Sequence, residues 1–164
     1  MSPMLSRESL NVYLNDHLAG STAACDLIEQ ARDHNRGTPL AEFLDALLEE
    51  IRADRDVLER LMDDLGVEKS TVKQAGTWLL EKVSRLKFMV SERSHPELRN
   101  LIELEALRLG VQGKQSLWLA LEQVADLEER LAATDFAALA DRAEHQVLGI
   151  EQRRLQAARA ALAG

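Results

Sequence analysis

Carboxylate and imidazole side chains that could hold a metal ion occur in several helix-like segments of this chain. In EEIRADRDVL, Glu50 and Asp54 lie one helical turn apart, and Asp54 falls on a stripe that is otherwise apolar. A carboxylate-bridged di-metal site in a helical bundle takes a glutamate from each of two helices and a Glu-x-x-His pair from each of two others. The question is therefore whether histidines supply the rest of such a site.

The four histidines do not carry the required pair. Three of them follow a residue other than glutamate at that spacing: His17 after Leu14, His34 after Ala31 and His145 after Arg142. Glu92 and His95 have the spacing, but Pro96 pushes the residue before it out of helical geometry. The standard di-metal motif is therefore absent from every predicted helix.

A looser polar set leaves a single, non-standard metal site as an alternative. Its candidate ligands are His17, Glu50, Asp54, Glu105 and His145, with Glu103, Asp141 and Glu144 beside them in sequence. Iron or manganese would be the cofactor of that alternative, and no cofactor is predicted otherwise. The opposing interpretation is a hydrogen-bonded His17 at the core edge beside Tyr13 and Ser21, and an Asp54 neutralised by Lys82, Arg85 or Lys114. A buried carboxylate needs such a partner or a raised pKa, because burial without one costs several kcal/mol.

Other chemistry has less support in the sequence. No nucleophile elbow or metalloprotease helix motif is present. The single cysteine, Cys25, lies on an apolar helix face and is predicted to be a buried thiol. The segment GVQGK lacks phosphate-loop spacing, so its glycines predict a kink or a close helix contact. Trp78 and Trp118 lie beside the apolar stripes and are predicted at the bundle edge or an interface.

Apolar periodicity predicts five helices and a single domain over residues 1–164. They cover about 5–33, 38–66 and 70–90, then a helix from the SHPE segment to about Leu131, and a last helix after Asp135 whose end leaves the core near Arg154. Helix-capping signals are Ser6, Thr38 with Pro39, Ser94 with Glu97, Thr134 and Asp135, and the terminating glycines Gly37 and Gly66. Short connections favour antiparallel neighbours in an up-and-down bundle.

Composition narrows the functional classes. The chain has 164 residues, of which 46% are hydrophobic, so it can bury a core. Its net charge of −8 argues against nucleic-acid binding, which needs a basic face. No secretory signal or membrane span is predicted, and the expected location is the cytoplasm.

Four segments carry a resemblance to a known group of proteins: LNDHLAGS, EEIRADRDVL, LEKVSRLK and LEALRLGVQGKQSLW. In these the chain resembles small, uncharacterised bacterial helical proteins that are placed with the ferritin-like folds. The resemblance implies an all-α, ferritin-like up-and-down four-helix bundle with one additional helix, the third in sequence. Active ferritin-like proteins store iron or carry out di-iron oxidation through glutamates and Glu-x-x-His motifs, and this chain departs from that pattern at its histidines.

The leading functional expectation is a non-catalytic interaction or structural protein, a homodimer through leucine- and tryptophan-bearing helix faces. The alternative is a metal-binding or di-metal oxidoreductase-like protein with a non-standard carboxylate and histidine site. A carrier for an apolar ligand in the bundle core is a third class, and no specific residue indicates it.

Overall fold

The computed structural model describes residues 4–70, 81, 84 and 95–163, and the regular secondary structure within them is entirely helical. The elements are α1 (Arg7–His34), α2 (Pro39–Asp64), α3 (Pro96–Glu122), a 3-10 turn (Ala125–Leu127), α4 (Glu129–Ala132) and α5 (Phe136–Leu162). The all-α class is therefore confirmed. The helix predicted over 70–90 lies almost entirely outside the described residues. No helix in the described part has the length and apolar character needed to cross a membrane.

The boundaries of α1 and α2 follow from local capping chemistry, as predicted. Ser6 and Thr38 are the N-caps, and each side-chain oxygen accepts a backbone N–H three residues later at 3.3 Å. Pro39 occupies the first turn of α2. Gly37 and Gly66 adopt φ of +78° and +66°, a left-handed conformation that glycine reaches without steric cost.

The predicted end of the fourth helix is wrong, because α3 ends at Glu122 and not near Leu131. The backbone tightens where the Val124 N–H donates to the Leu121 carbonyl at 3.2 Å. Glu128 is then extended, and its carboxylate caps α4 by accepting the Arg130 N–H. At the start of α3 the N-cap is His95, which makes no side-chain capping bond, while Ser94 lies outside the described residues.

The four long helices share two hydrophobic clusters, one toward each end of the bundle. The first contains the C-terminal part of α1, the N-terminal parts of α2 and α3, and α5 from Ala143 to its C-terminal part. The second contains the opposite parts of these helices, together with Leu65, Val67 and Leu131. Helices α1 and α5 therefore run antiparallel to α2 and α3, and α2 and α3 run in the same direction. Close packing is most extensive between α3 and α5, and next between α1 and α2.

The last turns of α5 are partly as predicted. Leu155 and Leu162 face outward, at 55% and 71% exposure. Ala157 between them is buried and still belongs to the first cluster. The end of α5 therefore stays packed on one side while its leucines face away from the core.

Candidate functional site

Asp54 is a fully buried carboxylate that faces α3 and α5 from α2. Its side chain is only 1% exposed, and it accepts hydrogen bonds from Lys114 Nζ through Oδ2 and from Arg142 Nη2 through Oδ1. The prediction that a basic partner neutralises Asp54 is confirmed for Lys114. Arg142 is a second partner that the sequence did not indicate, and Lys82 and Arg85 lie outside the described residues.

Gln146 on α5 links Asp54 to Glu50. The Gln146 amide nitrogen donates to Glu50 Oε2 at 2.9 Å and to Asp54 Oδ2 at 3.4 Å, while its carbonyl oxygen accepts from Lys114 Nζ. Burial lowers the pKa of Lys114, an effect that the charge of Asp54 opposes. The network contains two carboxylates and two cations when Arg142 is included, so its charges balance. Its hydrogen bonds make it a structural link between α2, α3 and α5.

The other three predicted metal ligands lie in different surroundings. Glu105 is half exposed and forms an ion pair with Arg154 at 3.2 Å. His145 is exposed, and its Nδ1 lies 2.8 Å from the backbone carbonyl of Asp141. His17 is half-buried on α1, and its ring meets the ring of Tyr13 edge-on at 4.7 Å between centroids. Burial lowers the pKa of His17, which favours its neutral imidazole, against the opposing effect of the charge of Asp16.

The structure brings together only part of the predicted metal set. Glu50 and Asp54 share Gln146, and His17 lines the same cavity as Asp54. Across residues 4–70 and 95–163, no group of three His, Cys, Asp or Glu side chains is arranged to hold a metal ion. A metal site built from these five residues therefore stays a prediction, without a described cluster to support it.

A cavity of about 210 Å³ separates α1, α2 and α3 beside the Asp54 network. Most of its wall is apolar, from residues such as Ile51, Leu58 and Leu117. Its polar wall groups are Asp16, His17, Ser21, Asp54, Arg55 and Lys114. Gly113 lines this cavity, and a Cβ built there meets no described atom within 4 Å, so the kink or close helix contact expected near GVQGK stays a prediction.

A second buried polar contact joins α1 to α3 near the other end of the bundle. His34 Nδ1 lies 3.1 Å from Oε1 of Glu103, which is 6% exposed. Burial raises the pKa of Glu103 to about 7, against the opposing effect of the nearby charge of Arg99. Glu103 is one of the polar candidates predicted from the sequence, where nothing pairs it with His34. No spacing rule connects residues on separate helices.

Two further expectations concern the tryptophans and the single cysteine. The predicted edge or interface position is wrong for Trp118, which is 1% exposed and stacks on Phe136 with 6.2 Å between ring centroids. Trp78 lies outside the described residues. Cys25 is buried, as predicted, and burial raises the pKa of its thiol.

Searches of protein-family models, curated proteins and solved structures found no match to this chain. Its function is therefore inferred from the geometry of its own residues.

Proposed function

We propose that this chain is a non-catalytic interaction protein of the cytoplasm that associates with a second copy of itself through α5. The observation that carries the proposal is a stripe of exposed leucines. Leu148, Leu155 and Leu162 are 60%, 55% and 71% exposed, and they recur every seven residues. This spacing places them on one side of a helix, as in the seam of a helix pair.

The polar network at Asp54 supports a structural role over a catalytic one. A general acid or base has to reach a reacting group and exchange a proton with it. Both Asp54 oxygens are instead held by Lys114 and Arg142, and Glu50 is held by Gln146. Catalysis would have to break these contacts. The network therefore favours a structural scaffold that binds a partner through its surface.

Charge complementarity favours an antiparallel second copy as the occupant of the leucine stripe. Glu144 and Arg159 are exposed, and neither forms an ion pair among the described residues. The midpoint of these two residues is also the midpoint of Leu148 and Leu155. A two-fold axis there would set Leu148 against Leu155 of the partner subunit and Glu144 against Arg159 of the partner subunit. A parallel pair would instead place like charges together, which is unfavourable.

The ferritin-like scaffold is also part of the proposal. It is supported by two antiparallel helix pairs, α1 with α2 and α3 with α5, in which α2 and α3 run in the same direction. Four-helix bundles of the ferritin type have one long crossover connection, which produces this set of directions. The direction of the four long helices is thus the feature that the scaffold shares with that class.

Analytical ultracentrifugation of the full chain tests the dimer. We expect a reversible dimer at tens of micromolar, and Leu155→Lys is expected to weaken it by at least about tenfold because a buried ammonium replaces an apolar contact. Leu119→Lys is the matched control, since Leu119 is 46% exposed on α3 and lies off the stripe. Arg159→Glu should also weaken association, and adding Glu144→Arg should restore it. A wild-type monomer at these concentrations would refute the proposal.

The metal-binding alternative has its own discriminating measurement. Protein purified without chelator would contain stoichiometric iron or manganese, and Asp54→Ala or His17→Ala would lose it. That result would overturn the preference for an interaction protein. The occupied oxygens of Asp54 are the physical reason to expect otherwise.

A further inference from the structure

The cavity between α1, α2 and α3 combines an apolar wall with polar groups that have unused hydrogen-bonding capacity. An ammonium has three N–H donors. Lys114 uses one toward Asp54 and one toward Gln146, which leaves a third. The ring nitrogens of His17 have no hydrogen-bond partner among the described residues. Both side chains line the cavity.

The buried and half-buried charges on the cavity wall are already compensated, whereas Asp16 is exposed and forms no ion pair among the described residues. Asp54 is paired with Lys114 and Arg142, and Arg55 lies 3.7 Å from Glu59. A charged ligand inside this largely apolar space would meet only buried charges that already have partners, which is strongly unfavourable. An uncharged ligand avoids that cost.

The size of the cavity sets the size of its occupant. A cavity of about 150 Å³ in a protein core is large enough to bind benzene. At about 210 Å³ this one can accept a single ring with a small substituent. Gly20 and Gly113 line this space, and a Cβ built at either meets no described atom within 4 Å, so a longer side chain at these positions has room to enter it.

We propose that this cavity is a binding site for a small uncharged molecule of one-ring size, whose polar oxygen is hydrogen-bonded by Lys114 or His17. Its apolar ring packs against the Ile51, Leu58 and Leu117 side of the wall. This site is separate from the leucine stripe of α5, so it stands independently of the proposed dimer.

The test uses ¹⁹F NMR titration of the full chain with three probes of similar size. They are 4-fluorophenol, 4-fluorotoluene, which lacks the hydroxyl, and 4-fluorobenzoate, which is charged. We expect 4-fluorophenol to bind with a millimolar or lower Kd, and about fivefold or more tightly than either of the others, because one net hydrogen bond contributes about that factor. Equal or tighter binding of either comparison probe would overturn the ligand class, and failure of all three to bind would overturn the site.

Two cavity-filling variants locate the binding. Gly113→Leu and Gly20→Leu place a side chain into the space from α3 and from α1, and each replaces a helical glycine with a better helix former. Each is expected to weaken 4-fluorophenol binding by about tenfold or more. Gln112→Leu, at an exposed position next to Gly113, should leave it unchanged. If both glycine variants retain their helical circular dichroism and wild-type affinity, the cavity is not the binding site.

Discussion

At the scale of single residues, Asp54 illustrates the cost of a buried charge. Its carboxylate is 1% exposed, and desolvation of that kind is offset only by good geometry with an opposite charge. Lys114 and Arg142 reach it from two different helices, α3 and α5. The Asp54 side chain therefore couples the positions of α2, α3 and α5.

The first prediction compares the free energy of unfolding after two changes to this network. One change removes a single charged member, and the other replaces a charged pair with apolar residues. Asp54→Ala should lower the free energy of unfolding by about 3 to 5 kcal/mol, because Lys114 would stay buried without its carboxylate. The double variant Asp54→Leu with Lys114→Met should be close to wild type or more stable, since Arg142 is 40% exposed and can turn to solvent. Urea denaturation measures both. A loss below about 1 kcal/mol in the single variant would contradict the structural role assigned to the network.

The sequence could predict the location of Asp54 but only part of its surroundings. The spacing of Ile51, Asp54 and Leu58 on one helix was enough to place the carboxylate inside. Lys114 was one of three basic candidates. Arg142 and Gln146 depend on the rotation of α5 about its axis, which is set by packing along α3, and periodicity within one helix carries no information about that rotation.

At the scale of elements, local chemistry determined the helix ends that could be predicted. Ser6 and Thr38 cap their helices because a side-chain oxygen next to the first turn can accept a free backbone N–H. The end of α3 could not be predicted in this way. Leu127 and Leu131 continue a helical spacing after it, although the backbone breaks at Glu128 so that Leu131 becomes fully buried.

The start of α3 leads to the second prediction. His95 is its N-cap and makes no side-chain capping bond, so the first backbone N–H groups of α3 lack the partner that Ser6 and Thr38 provide to α1 and α2. His95→Ser should therefore raise the free energy of unfolding by about 0.5 to 2 kcal/mol. Thermal and urea denaturation provide the measurement. Thr38→Ala is the reciprocal control and should cost a similar amount; no gain in His95→Ser beside a loss in Thr38→Ala would contradict the interpretation.

At the scale of the whole molecule, the sequence predicted the class of fold better than its arrangement. A chain with 46% hydrophobic residues and helical apolar spacing has few ways to bury its stripes except against other helices, which is why the all-α prediction holds. The shared direction of α2 and α3, and the cavity beside α1, arise from how whole helices pack. Gly113 shows the difficulty: its residue type gave no sign that it would line a cavity among the described residues.

The third prediction concerns how this arrangement unfolds. Each of the two hydrophobic clusters takes residues from all four long helices, so neither can be lost without releasing the helices that build the other. Two-state unfolding is therefore expected, with the same urea midpoint at both ends of the bundle. Cys25 reports on the first cluster through its reactivity toward a thiol reagent, since it is buried and is the single cysteine of the chain. Trp118 reports on the second cluster by fluorescence in a Trp78→Phe background. Exposure of Cys25 at a clearly lower urea concentration than the Trp118 transition would show that the first cluster opens separately, and that the buried link through Asp54 does not couple the two ends.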